Sequence, residues 1–109
     1  MPYDSKLAVR LQDLLGERKG FEEKKMFGGV CFFLNGNICV GIHKDNLILR
    51  LGKEEGELAL LREHIRPFDI TGRPMTGWVM VRPPAFKTKS QLSKLVEWAI
   101  QFVETLPAK

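Results

Sequence analysis

Apolar residues recur at helical spacing in the first segment: Leu7, Leu11, Leu14 and Leu15 follow Asp4 or Ser5 as N-cap. Gly16 or Gly20 then stops that helix. From Phe21 the period changes, and the polar stretch from Phe21 to Phe27 reads as an edge strand. Lys25-Met26-Phe27-Gly28-Gly29 delivers the chain into the apolar run Val30 to Leu34, the adjacent glycines allowing a bend or a close backbone approach. Asn35-Gly36 suits a type I′ turn, whose two positions need positive φ, so the strands on either side form a hairpin. A second short connection near Asp45-Asn46 leads into Leu47 to Leu51, which completes a three-stranded meander.

Beyond the meander, Lys53 to His64 reads as a short helix with Leu58, Leu61 and Ile65 on its packing side. Pro67 to Ile70 is a brief extended piece, followed by a glycine-bounded loop from Thr71 to Gly77 that holds Arg73. Trp78 to Arg82 is a further strand, stopped by Pro83-Pro84. Thr88-x-x-Gln91 is a capping box for the last helix. The apolar side of that helix is Leu92, Leu95, Val96, Ala99, Phe102, Val103 and Leu106. Strands gathered between helices, without βαβ alternation, predict an α+β domain: two layers, with helices packed on one face of an antiparallel sheet.

The hairpin register assigns the faces. A two-residue turn opposes Leu34 to Asn37, Phe33 to Ile38, Phe32 to Cys39 and Cys31 to Val40, and opposed residues share a face. Cys31, Phe33, Ile38, Val40, Ile42, Leu49 and Leu51 are then expected beneath the helices. Val30, Phe32, Leu34, Cys39, His43, Ile48 and Arg50 are expected on the other face, joined by Trp78, Met80 and Arg82. A sheet face meant only for water alternates apolar-in with polar-out, and this one is aromatic and aliphatic with arginines at its edge, which fits either a partner surface or a face covered by the N-terminal helix or a long loop. Phe32, Ile48, Arg50, Arg73, Trp78, Met80 and Arg82 are therefore the candidate partner-binding residues. Cys31 and Cys39 fall on opposite faces, out of reach of a disulfide.

Composition narrows the classes further. The 109 residues fit a single domain spanning 1–109, and 44% apolar with 28% charged residues is globular composition. No apolar run reaches the ~20 residues of a membrane helix, and Met1-Pro2-Tyr3-Asp4 does not open a secretory leader, so a cytoplasmic protein is expected. Net charge is +4, but Lys and Arg are spread along the chain rather than clustered as in a dedicated nucleic-acid binder. His43 and His64 have no carboxylate at ligand spacing, and Glu54, Glu55 and Glu57 complement a helix N-terminus. Gly28-Gly29 does not extend into a phosphate loop. The residues thus point to no catalytic centre, cofactor, metal or small-molecule substrate.

Lys25-Met26-Phe27-Gly28-Gly29, the strand after it and the Asn35-Gly36 turn resemble the N-terminal domain of the TfoX/Sxy family, bacterial regulators linked to competence for DNA uptake. Leu47-x-Leu49-x-Leu51, Gly77-Trp78-Val79-x-Val81 and the final helix through Trp98 extend that resemblance over nearly the whole chain. It implies a two-layer α+β fold similar to secretion-chaperone-like domains, and it implies no known catalytic residues. The family's longer regulators carry a second, C-terminal domain, whereas the expectation here is a stand-alone first domain. The resulting expectation is a regulatory module acting through protein contacts, with a protein partner or a homodimer. The alternative is a nucleic-acid-binding domain in which Phe32 and Trp78 stack bases beside Arg50 and Arg82 on the sheet.

Overall fold

A computed structural model describes residues 4–16, 18–26, 29–69, 72 and 75–108. The chain runs α1 (Ser5–Leu15), β1 (Phe21–Met26), β2 (Gly29–Leu34), β3 (Asn37–His43) and β4 (Asn46–Arg50). It continues through α2 (Lys53–Ala59), β5 (Ile65–Pro67), β6 (Trp78–Val81), a 3-10 turn (Pro83–Phe86) and α3 (Lys89–Val103). The six strands form one antiparallel sheet in the order β1-β2-β3-β4-β6-β5. With the helices it is an α+β fold, as the pattern of elements predicts.

Local chemistry explains the ends of the elements. The Asp4 carboxylate accepts from the backbone N–H groups of Lys6 (2.9 Å) and Leu7 (3.3 Å), and so caps α1. Thr88 and Gln91 form the reciprocal capping box of α3. Asn35 (φ 52°) and Gly36 (φ 85°) take the two positive-φ positions of the hairpin turn. Leu7, Leu11 and Leu15 of α1 join Leu92, Val96, Ala99 and Val103 of α3 in one core against the sheet. Arg10 ties the two helices together by donating to the carbonyls of Phe86 (2.7 Å) and Thr88 (3.2 Å).

Helix α2 departs from expectation. Leu58 and Leu61 are exposed, Leu61 by 83%, and the buried residues are Gly56 and Ala59. The backbone is the reason. A Cβ on Gly56 would stand 3.0 Å from the Cα of Gly77, while the Gly77 carbonyl accepts from the N–H groups of Leu51 (2.8 Å) and Gly52 (3.2 Å). The helix is pulled against the β6 lead-in by its smallest side chains, and its leucines turn outward. It also ends at Ala59, short of the predicted His64.

The register of β2 against β3 is the second departure. Leu34 opposes Asn37 and Phe33 opposes Ile38, as the turn dictates, but Phe32 then opposes Val40 and Cys31 opposes Gly41. Cys39 is the extra residue of a β-bulge. Cys39 and Val40 are both fully buried in the core, although they are neighbours in a strand. One inserted residue reverses the faces of everything on the turn side of it. Val30, Phe32 and Leu34 therefore lie beneath the helices, and Cys31, Phe33 and Ile38 on the other side, the reverse of the turn-based expectation.

The β3–β4 turn is also displaced, centring on Lys44-Asp45 (Lys44 φ 57°) with His43 opposite Asn46. That displacement moves each partner by two residues and leaves the faces unchanged. Leu47, Leu49 and Leu51 stay in the core.

A helix-free sheet face with an aromatic and cationic rim

With the bulge in place, cross-strand pairs define the second face. Phe33 pairs with Ile38, Cys31 with Gly41, Ile48 with Met80, Arg50 with Trp78, and Arg66 with Met80 on its other side. Glu22 and Lys24 of β1 oppose Phe33 and Cys31 and so stand on this face too. None of these residues belongs to the core that the helices cover.

The face is not uniformly open. Phe68, just beyond β5, reaches across to Trp78 with ring centroids 5.9 Å apart, and is itself only 3% exposed. Cys31, Ile38, Gly41, His43, Ile48, Phe68 and Trp78 line one small apolar seam. Ile48 is 5% exposed within it. Phe33, Ile38, His43, Arg50, Trp78 and Met80 remain half-buried around this seam and reach solvent. Two of the aromatics carry a cation: the Arg50 guanidinium lies 5.4 Å from the Trp78 ring centre, and the Lys24 ammonium 5.1 Å from that of Phe33.

Of the candidate residues, Ile48, Arg50, Trp78 and Met80 are brought together on this face. Arg82 follows β6 directly and is exposed. Phe32 is the correction: it is 3% exposed in the helix-covered core, because the bulge at Cys39 turns it away from the face predicted for it. Arg73 lies outside the described residues, as do Phe27 and Gly28. Sequence reasoning missed Phe33, Ile38 and Lys24 as members of the face, and Phe68 as its partial cover. Gly41 within an apolar strand was the available signal, since a Cβ there would sit 3.1 Å from both the Cys31 sulfur and the Val30 carbonyl oxygen.

The thiols are inert in this setting. Both cysteines are free and buried, on opposite sides of the sheet as expected, but with their faces exchanged. Burial pushes the Cys31 thiol up to about 11. Burial pushes Cys39 up to about 12, with the Glu97 carboxylate adding to the rise and Arg50 and Arg18 opposing it. A thiol at such values is protonated at neutral pH and is a poor nucleophile. Nδ1 of His43 is buried at the edge of the seam, with no hydrogen-bond partner among the described residues. Among the described residues no group of His, Cys, Asp and Glu is placed to hold a metal ion.

A small antiparallel sheet with helices on one face and an apolar, cationic second face describes an α+β domain. Residues 13–103 match the TfoX N-terminal domain, and the chain belongs to that family. The TfoX N-terminal domain is not a known catalytic family. No curated protein matches the chain, and no solved structure does. Among the described residues no helix is long and apolar enough to cross a membrane.

Proposed function

We propose that this protein is a small, non-catalytic regulatory module of the cytoplasm that works as one domain and binds a protein partner through the helix-free face of its sheet. The observation that carries this reading is Trp78. It is half-exposed, lies beside Arg50 and Met80, and shares the apolar seam with Ile38, Ile48 and Phe68, outside the core that the helices cover. Aromatic and arginine side chains set in an apolar patch are the composition of interface anchors. Membership of the TfoX N-terminal family supports a regulatory or interaction module over chemistry.

The test is recovery of a partner from a native lysate by the wild-type protein and by Trp78→Ala. The reading expects the variant to lose the partner while its melting temperature stays close to wild type. Equal recovery by both proteins contradicts it.

A second reading has its own support. Lys24 over Phe33 and Arg50 over Trp78 set two cation-bearing aromatics on one sheet, an arrangement that also holds unpaired bases. A fluorescence titration with a single-stranded oligonucleotide separates the two. Nucleic-acid binding quenches Trp78 and weakens steeply as salt rises, whereas the protein-contact reading expects no salt-dependent quenching.

A further inference from the structure

The two edges of the sheet are unequal. β5 is three residues long and ends in Pro67, which blunts it against further pairing. β1 is six residues long and pairs only with β2. Among the described residues, no backbone or side-chain hydrogen bond reaches the outward main-chain groups of Phe21–Met26. Like charges set opposite one another are one way in which an edge is kept single. On the helix-free face Phe-Glu-Glu-Lys-Lys-Met presents an acid and a base instead, Glu22 and Lys24.

We propose that β1 is a self-association edge: two copies pair antiparallel through it and join their sheets into one. A two-fold axis perpendicular to a sheet pairs residues of the same face, so opposed residues differ by an even number of positions. Centring the axis on Glu23 keeps Phe21 to Lys25 in register. It sets Glu22 opposite Lys24 of the second copy, and Lys24 opposite its Glu22, on the helix-free face. On the helix side Phe21, half-buried, meets the alkyl stem of Lys25. The two Glu23 carboxylates meet at the axis, each holding a hydrogen bond from its own Gln12 amide (2.8 Å) and flanked by the two Lys25 side chains. The second copy is the fitting occupant because, on the helix-free face, the edge carries one acid and one base, Glu22 and Lys24, placed so that reversal sets each opposite the other.

The experiment is the solution mass of the full chain by light scattering across concentration at low salt, with melting curves to confirm that each variant folds. Wild type is expected to be dimeric at high concentration. Glu22→Lys and Lys24→Glu each turn both cross-strand pairs repulsive, and each is expected to raise the dimer dissociation constant about tenfold or more. An equimolar mixture of the two variants restores opposite charges at both pairs and is expected to regain the dimer. Trp78→Ala leaves it intact. A wild type that is monomeric at every concentration overturns the proposal, and so does a dimer insensitive to both charge reversals or one lost with Trp78→Ala.

Discussion

The two faces of this sheet are built from the same kinds of residue and meet different fates. On one, Val30, Phe32, Leu34, Val40, Ile42, Leu47, Leu49, Val79 and Val81 are sealed by α1 and α3 into a continuous core. On the other, Cys31, Gly41, Ile48 and Phe68 are buried, and the aromatic and aliphatic side chains around them stay half-exposed beside Lys24, Arg50 and Arg66. Hydrophobicity alone does not separate these faces. The separating features are what lies above each one and where a single bulge resets the alternation, so adjacent residues of one type carry opposite roles.

Phe32 and Phe33 break or sharpen that contrast most strongly. Phe32→Ala empties a buried site and should cost about 3–5 kcal/mol of stability. Phe33→Ala trims a half-exposed ring and should cost about 1 kcal/mol. Urea unfolding of both variants checks this, and equal losses would remove the bulge from the account.

Gly29 comes next. Its φ is not in the left-handed region, but a Cβ there would run into the carbonyl oxygen of Ile42, because β2 and β3 approach closely at the start of the hairpin. Gly29→Val should therefore cost about 1–3 kcal/mol. A melting temperature equal to wild type would show that the approach is not required.

The thiols give a smaller effect with a defined sign. Both ionise near 9.0 when exposed, and burial raises them to about 11 and about 12 in the fold. The folded state then holds protons that the unfolded state releases, so the contribution is complete below pH 9.0 and is lost as pH rises toward 11 and 12. At pH 10 each thiol should cost about 1 kcal/mol of stability relative to neutral pH. Unfolding curves of wild type, Cys31→Ala and Cys39→Ala at pH 7 and pH 10 measure it, each substitution reducing the alkaline loss.

Much of this was legible in the sequence because its signals are local. Asp4, Thr88-x-x-Gln91 and Asn35-Gly36 act through hydrogen bonds and φ angles within a few residues, and the ends of α1, α3 and the hairpin follow from them. The faces of β4 and β6 were also legible, since alternation survives a displaced turn. Ile48, Arg50, Trp78 and Met80 fell correctly on the helix-free side for that reason. The faces of β2 were not legible. In Ile38-Cys39-Val40 every residue is apolar, so nothing polar shows where the period slips. Leu58 and Leu61 misled in a similar way. Their spacing fits a packing face, but the close approach of Gly56 to Gly77 is a tertiary contact that helical periodicity does not encode.

The two tryptophans test the central claim most directly, because they stand on opposite sides of the sheet. Trp78 is on the helix-free face, while Trp98 of α3 packs on the core and donates to the Glu55 carboxylate (2.8 Å). The measurement is partner recovery from native lysate by Trp78→Ala and Trp98→Ala, with melting curves alongside. The account predicts that Trp78→Ala loses the partner and keeps its stability, whereas Trp98→Ala loses stability and keeps the partner. Recovery lost with Trp98→Ala and retained with Trp78→Ala would move the interface to the helical layer and contradict it.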